Sequence, residues 1–163
     1  MYCLAVQFAK VRGKITDEQY SYYISELQTI PEKIQKILED KERIQWFAAK
    51  YANAHDVFFV GRGIDYAVSL EGSLKLKEIS YINANGYAAG ELKHGTIALI
   101  EEHQPVIALC CNPAIMEKTL SNIVEVKSRG AEVLALTFRN NQKILSVADD
   151  LLFIPEVDAL FSA

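Results

Sequence analysis

The chain has 163 residues, half of them hydrophobic and 23% charged, with a formal net charge of −4. These values are typical of a globular domain with a buried core, and the negative charge without a Lys/Arg run argues against a nucleic-acid-binding surface. The apolar runs are shorter than the roughly 20 residues that cross a bilayer, so no membrane partner is predicted.

Residues 1–54 predict helices, and we interpret them as a helical arm. The apolar segment Met1–Val11 predicts a helix that continues an upstream element. Thr16 followed by two acids predicts a new helix start. Pro31 is expected to open the next helix, since proline is favoured in a first turn. Lys41–Ala54 predicts a further helix with charged outer positions.

From residue 55 onward, short apolar strands alternate with helices. Strands are predicted at Asp56–Gly61, Asn83–Tyr87, Pro105–Cys110, Glu132–Thr137 and Leu151–Ile154, with helices at Asp65–Ile82 and Pro113–Arg129. This order predicts an α/β fold with a doubly wound, five-stranded parallel sheet covered by helices on both faces. Residues 55–163 are one domain in this interpretation. Because Val157–Ala163 resembles the first turns of a helix, we expect the chain to be part of a longer protein.

The helix predicted after the first strand carries an unusual group of charges. Glu71, Lys75 and Glu78 are spaced i, i+4 and i+7, so they share one face with the lysine between two carboxylates. A lysine there can leave a carboxylate able to accept a proton from a substrate. The alternative is an ordinary exposed ion pair. The opposite face is expected to pack through apolar residues: Val68, Leu74, Leu76, Ile79 and Ile82.

The first strand ends in Gly61-Arg62-Gly63. A Gly-x-Gly turn at a strand end lets the backbone approach a phosphate or a sugar, and the next helix offers its N–H groups to an anion. A plain tight turn is the alternative. The position of the third glycine in the dinucleotide-binding pattern is Tyr66, so that pattern is not met.

His94 lies in a charged loop beside Gly95, where a near-neutral pKa is suited to proton transfer. His55 and His103 are expected to be solvated. No histidine pair has metal-ligand spacing, so we predict no metal site. The three cysteines form no C-x-x-C pair, and their odd number is typical of a reducing, cytoplasmic setting.

Three segments together resemble the sugar isomerase (SIS) family: Phe59–Gly63, Leu70–Ile82 and Gly86–Gly95. Within the family they are most similar to the second isomerase domain of the glutamine–fructose-6-phosphate aminotransferases. The similarity runs from about residue 57 to 154. Residues 1–54 are similar to the end of the preceding isomerase domain and its helical connector. The resemblance implies that residues 55–163 form an SIS domain truncated at its C-terminal helix.

The resemblance also implies an activity. These enzymes make glucosamine 6-phosphate from fructose 6-phosphate and glutamine: ammonia forms an imine at C2 of the sugar, and the isomerase half moves a proton from C1 to C2. By position, Glu78 matches the base, Lys75 the lysine beside it, and His94 the histidine that assists ring opening in the neighbouring subunit's site. The expected substrate-binding residues are Gly61, Arg62, Gly63 and Glu71. The implied partners are the two sugar phosphates and a second copy in a homodimer, with no cofactor.

Other parts of those enzymes have no counterpart in this sequence. Cys3 in its apolar segment is not the N-terminal nucleophile of the glutaminase, and the hydroxyl-rich loop that grips the sugar phosphate belongs to the first isomerase domain. We therefore expect this chain alone to bind sugar phosphate poorly and not to turn over. The alternatives are a sugar-phosphate-sensing module without catalysis, a stand-alone isomerase or epimerase, and a domain that serves only dimerisation. The stand-alone enzyme is disfavoured because Gly61–Ser69 contains one Ser and no Thr.

Overall fold

The computed structural model describes residues 1–161 and contains two compact units, Met1–Lys41 and a second that begins at Glu42. The first unit consists of helices α1 (Tyr2–Val11) and α2 (Asp17–Glu39). The predicted helix start at Thr16 is confirmed. Its hydroxyl accepts the N–H of Gln19, and the side chain of Gln19 accepts the N–H of Thr16. This reciprocal pair satisfies two backbone donors that the start of α2 would otherwise leave unpaired.

The prediction that Pro31 opens a new helix is wrong, because Pro31 lies inside α2. A proline within a helix forfeits one backbone hydrogen bond. The helix nevertheless continues because the apolar spacing runs in one register across the proline, through Ile24, Leu27 and Ile34. Proline's preference for a first turn does not by itself distinguish a proline that opens a helix from one inside a continuing helix.

The second unit is built on a parallel sheet of five strands, which confirms the predicted architecture, and the strand order is β2-β1-β3-β4-β5. The strands are β1 (Asp56–Gly61), β2 (Asn83–Ala88), β3 (Pro105–Cys110), β4 (Glu132–Phe138) and β5 (Asp150–Ile154). Helix α3 (Lys41–Tyr51) precedes β1, α4 (Ile64–Ser80) joins β1 to β2, and α5 (Met116–Lys127) joins β3 to β4. The order changes direction between β1 and β3, which is the doubly wound arrangement.

The two sides of the sheet are covered by different helices. Alternate residues of β1 point to opposite sides, so Phe58 and Val60 join one core cluster and Val57 and Phe59 join the other. The first cluster includes apolar residues of α5, and the second is packed by Val68 and Leu76 of α4. A strand buried on both faces explains the continuous apolar runs in the sequence.

Helix α4 packs on the sheet through small and polar residues, which differs from the expected apolar face. Its buried residues are Asp65, Ser69 and Ser73. Of the expected apolar set, Val68, Leu76 and Ile82 are partly buried, but Leu74 and Ile79 are exposed. A small face lets the helix axis approach the sheet, as the contact between Gly72 and the Phe59 ring illustrates. Of the bulkier residues, Leu74 and Ile79 are left on the outer side.

Other element ends shift by a few residues. The helix expected at Pro113–Arg129 begins as a 3₁₀ turn, Pro113–Ile115, before α5. The helix expected from Val157 appears as the 3₁₀ turn Ala159–Phe161, and residues 162 and 163 lie outside the described part of the chain.

The chain directions place the site residues. In this parallel sheet, α4 begins beside the carboxyl ends of the strands, where β1 finishes, and ends at the amino edge, where β2 begins. After β2 the chain forms a 3₁₀ helix, Ala89–His94, at the carboxyl edge.

Candidate functional site

The acid–lysine–acid row on α4 forms as its spacing predicts. Lys75 Nζ lies 2.8 Å from Glu78 Oε2 and 3.7 Å from Glu71 Oε1. Both carboxylates therefore share one ammonium on the outer side of the helix. The bond to Glu78 raises the pKa of Lys75, so this lysine remains a cation.

The row is open to solvent. About half of the Glu78 and Lys75 side-chain surfaces is exposed, and Glu71 is more exposed still. An exposed ion pair adds little to folding stability, so a contribution to stability does not account for this row of charges. In the described chain, the carboxylate of Glu78 is not enclosed by a cleft.

The Gly61–Gly63 turn has mainly structural contacts. A Cβ at Gly61 would lie 2.5 Å from the Asp65 carbonyl carbon, so glycine lets β1 end directly against the first turn of α4. Gly63 has φ 58° and ψ −124°, a backbone conformation suited to glycine. Arg62 donates from Nη1 to Asn122 Oδ1 at 2.7 Å, which directs its guanidinium to α5.

Asp65 is a buried acid that the sequence interpretation did not identify. Its carboxylate Oδ2 accepts the N–H of Cys111 at 3.0 Å and also interacts with the N–H of Asn112. Burial raises the pKa of Asp65, and these two backbone donors oppose the increase. It lies between the ends of β1 and β3, where doubly wound sheets bind ligands. An anionic ligand there would face an internal carboxylate. In the sequence, Asp65 is an acid in the first turn of a helix. That pattern is equally typical of an exposed residue, so it does not indicate burial.

His94 ends the 3₁₀ helix that follows β2. Ala89 and Leu92 of this helix are fully buried, whereas Lys93 and His94 are exposed. The buried pair fixes the segment on the core cluster that also contains α5. His94 is thus presented to solvent from an ordered support.

The predicted catalytic residues do not meet within one chain. Glu78 lies two residues before the end of α4 and so near the amino edge, whereas His94 follows β2 at the carboxyl edge. The six residues of β2 alone span roughly 17–20 Å. Helix α4 and the Ala89–His94 helix also pack on opposite faces of the sheet. Within residues 1–161, no hydrogen bond or ion pair joins His94 to Lys75 or Glu78.

A cleft with a volume of about 770 Å³ lies elsewhere, at the amino edge of the sheet. Polar residues that line it include Lys50, Asp56, Asn83, His103 and Glu132. Lys50 is already paired: it contacts Glu132, which also lines the cleft, at 3.2 Å and Asp150 at 2.6 Å. None of the predicted site residues lines this cleft.

The remaining polar groups add no second centre in the described chain. Over residues 1–161, no set of three or more His, Cys, Asp and Glu side chains is arranged to hold a metal ion. All three cysteines are free thiols, with Cys3 exposed and Cys110 and Cys111 buried. Among the helices that the structure describes, none has the length and apolarity that a bilayer crossing requires.

A family model and two related enzymes match this chain. The SIS domain model matches residues 50–159. The glutamine–fructose-6-phosphate aminotransferase (isomerizing) of Caldanaerobacter subterraneus subsp. tengcongensis is 49% identical over 156 residues, which are 96% of this chain and 26% of that protein. The enzyme of the same name from Clostridium acetobutylicum is 48% identical over 158 residues, which are 97% of this chain. The chain therefore spans about a quarter of these relatives, 26% in each case.

A solved structure agrees with this comparison. The C-terminal domain of glucosamine-fructose-6-phosphate aminotransferase from Francisella tularensis superposes with a TM-score of 0.91 at 31% identity. The match covers 98% of this chain and 45% of that one.

Proposed function

This chain belongs to the SIS domain family, and we propose that it is the second isomerase domain of a cytoplasmic glutamine–fructose-6-phosphate aminotransferase. The observation that carries the proposal is the contact between Lys75 and Glu78, at 2.8 Å on the outer face of α4. It unites the two residue types that the proton transfer needs, at the positions where the sequence resembles these enzymes. A cytoplasmic enzyme also agrees with three free thiols.

In the proposed reaction, ammonia from glutamine condenses with C2 of fructose 6-phosphate to give an imine and water. Glu78 removes a proton from C1, and the C1–C2 double bond forms as the imine electrons move to nitrogen, which takes up a proton. The C1 hydroxyl then loses its proton and becomes the aldehyde, while the proton held by Glu78 returns to C2. The product is the aldose amine, glucosamine 6-phosphate, with no net oxidation. Lys75 remains charged beside this base, so it can stabilise negative charge that develops on the sugar.

His94 is proposed to assist ring opening in the site of a second copy. The support for this is geometric, since Glu78 and His94 lie at opposite edges and on opposite faces of one sheet. A homodimer with two such shared sites would let the side chains of both copies converge on one sugar. This chain alone is expected to form no glucosamine 6-phosphate, and measurable synthesis by it would contradict the proposal.

The first experiment substitutes Glu78 in the full-length enzyme that contains this domain. We expect Glu78→Gln to lower kcat by roughly 10²–10⁴-fold, the usual effect of removing a general base. Glu32→Gln is the matched control, because Glu32 also contacts a lysine at 2.8 Å on an exposed helix face. It should keep wild-type kcat. A Glu78→Gln enzyme with more than half of the wild-type kcat would rule out the assigned base.

The second experiment tests action across subunits by mixing two inactive variants. In a mixed dimer of Glu78→Gln and His94→Gln chains, one site has both wild-type groups and the other has neither. With random pairing of equal amounts, about a quarter of the wild-type activity should return. No recovery, in a sample shown to contain mixed dimers, would place both residues in the site of one chain.

A sugar-phosphate-sensing module without catalysis is the second candidate. The exposure of Glu78 favours it, because a general base is usually shielded from water. A sensor would bind sugar phosphate equally well with Glu78→Gln and would show no turnover in the full-length protein.

A further inference from the structure

Two contacts connect α5 with the neighbourhood of His94. Lys93 Nζ lies 2.7 Å from Glu125 Oε1, and Arg62 donates to Asn122 Oδ1 at 2.7 Å. Asn122 and Glu125 are three residues apart, so they lie on one face of α5. This face is directed at the 3₁₀ helix that ends in His94.

The guanidinium of Arg62 packs against the backbone of that 3₁₀ helix. A Cβ at Gly90 would lie 2.8 Å from Nη2 of Arg62, so the two groups leave no space for a side chain. The hydrogen bond to Asn122, which is buried, fixes the direction of the guanidinium. Arg62, which the sequence predicts as a substrate-binding residue, thus links β1, α5 and the Ala89–His94 segment.

Glu125 has an unusual environment for a residue in an ion pair. Its Oε1 contacts Lys93, but its Oε2 is buried and accepts no hydrogen bond from residues 1–161. A buried carboxylate oxygen without a partner is unfavourable for folding. A contribution to stability therefore does not account for a glutamate at this position, whereas holding the Lys93 side chain in place does.

We infer that Glu125 is a positioning residue for His94, acting through Lys93, with Asn122 and Arg62 as a second support. Ala89 and Leu92 fix the body of the 3₁₀ helix on the core, whereas Lys93 and His94 follow the last buried residue and are exposed. The ion pair of Lys93 with Glu125 restrains this exposed end and so fixes the direction in which His94 projects. The inference rests on the proposed role of His94 in catalysis.

The first test uses this chain and needs no activity. In Glu125→Gln, we expect amide hydrogen exchange of residues 89–94 to become roughly two- to fivefold faster, the size that loss of one partly exposed ion pair allows. The imidazole NMR signals of His94 should shift, while those of His55 stay unchanged. Glu117→Gln is the matched control, since Glu117 is on α5 and pairs with Lys143 in a different 3₁₀ turn. It should leave residues 89–94 unaffected.

The second test measures catalysis in the full-length enzyme. Glu125→Gln should lower kcat by roughly five- to fiftyfold with KM within about twofold of wild type, because a catalytic group is displaced and substrate contacts are kept. Lys93→Gln should give the same loss. The double variant should lose no more than either single variant, since both remove one interaction. Lys93→Arg should retain most of the activity.

The outcomes separate this inference from the proposed function. If His94→Gln keeps wild-type activity, the proposed role of His94 is wrong. If His94→Gln is inactive but Glu125→Gln and Lys93→Gln have wild-type kcat and unchanged His94 signals, Glu125 does not position His94. If Glu125→Gln does not fold, Lys93→Gln decides the question, because the half-exposed Lys93 side chain can be replaced without opening the core.

Discussion

A methyl group at Gly61 would collide with the backbone at the start of α4. An added Cβ would lie 2.5 Å from the carbonyl carbon of Asp65, 2.6 Å from its oxygen and 2.8 Å from the nitrogen of Tyr66. Atoms of a helical backbone cannot turn aside as a side chain can, so β1 and α4 would have to separate. We expect Gly61→Ala to lower the free energy of unfolding by roughly 2–4 kcal/mol, the upper range for overpacking. For a chain of this size that corresponds to a fall in Tm of about 5–15 °C.

Urea unfolding followed by circular dichroism measures this effect. Gly72→Ala is the control, since its Cβ would lie 3.0 Å from a ring atom of Phe59, and that side chain can move. The higher helix propensity of alanine, worth about 1 kcal/mol, offsets this contact, so the net change should stay within about 1 kcal/mol. If Gly61→Ala has the same urea midpoint as wild type, the close approach does not explain the glycine, and ligand binding regains support as its role.

Two further predictions concern buried or paired ionisable groups. Partial burial of Asp149 favours its protonated form, but the bonds from Lys127 and a backbone N–H prevail and lower its pKa. The stabilisation that ionised Asp149 provides is therefore present above the unfolded-state pKa of about 3.9 and is lost as pH falls through the lower folded value. In urea unfolding, Asp149→Asn should lower the free energy of unfolding by about 1 kcal/mol at pH 7 and by less at pH 3. An equal loss at both pH values would contradict this. Burial raises the pKa of Cys111 to about 12 and also raises that of Cys110. A thiol reagent at pH 8 should therefore modify the exposed Cys3 quickly and the other two only on unfolding, and three equivalents of rapid reaction would show that the pair is accessible.

The three central strands β1, β3 and β4 could be predicted from the sequence because they are buried on both faces. Such strands are short apolar runs, and in this chain the runs at Val57–Val60 and Val106–Cys110 have no helical spacing to compete with them. The face of α4 that packs on the sheet could not be predicted in the same way. Its buried face is made of Ser69, Ser73 and Asp65, which a hydrophobic pattern assigns to solvent.

Local spacing predicted the contacts within one helix and missed those between elements. The pairing of Lys75 with Glu71 and Glu78 follows from i+4 and i+3 geometry alone. The bond from Arg62 to Asn122 joins residues 60 positions apart, so no local pattern indicates it. Gly61 is predicted to bind substrate, with a tight turn as the alternative, and its close approach to the backbone of α4, which only the folded chain reveals, gives it a structural reason.

The separation of Glu78 from His94 within one chain limits how these two groups can act together. Glu78 projects from the outer side of α4, and His94 projects from a segment that α5 supports on the other face of the sheet. If the two groups act on one sugar, the catalytic geometry depends on the contact between two copies as much as on either fold. A change that weakens that contact should then lower activity without unfolding the domain.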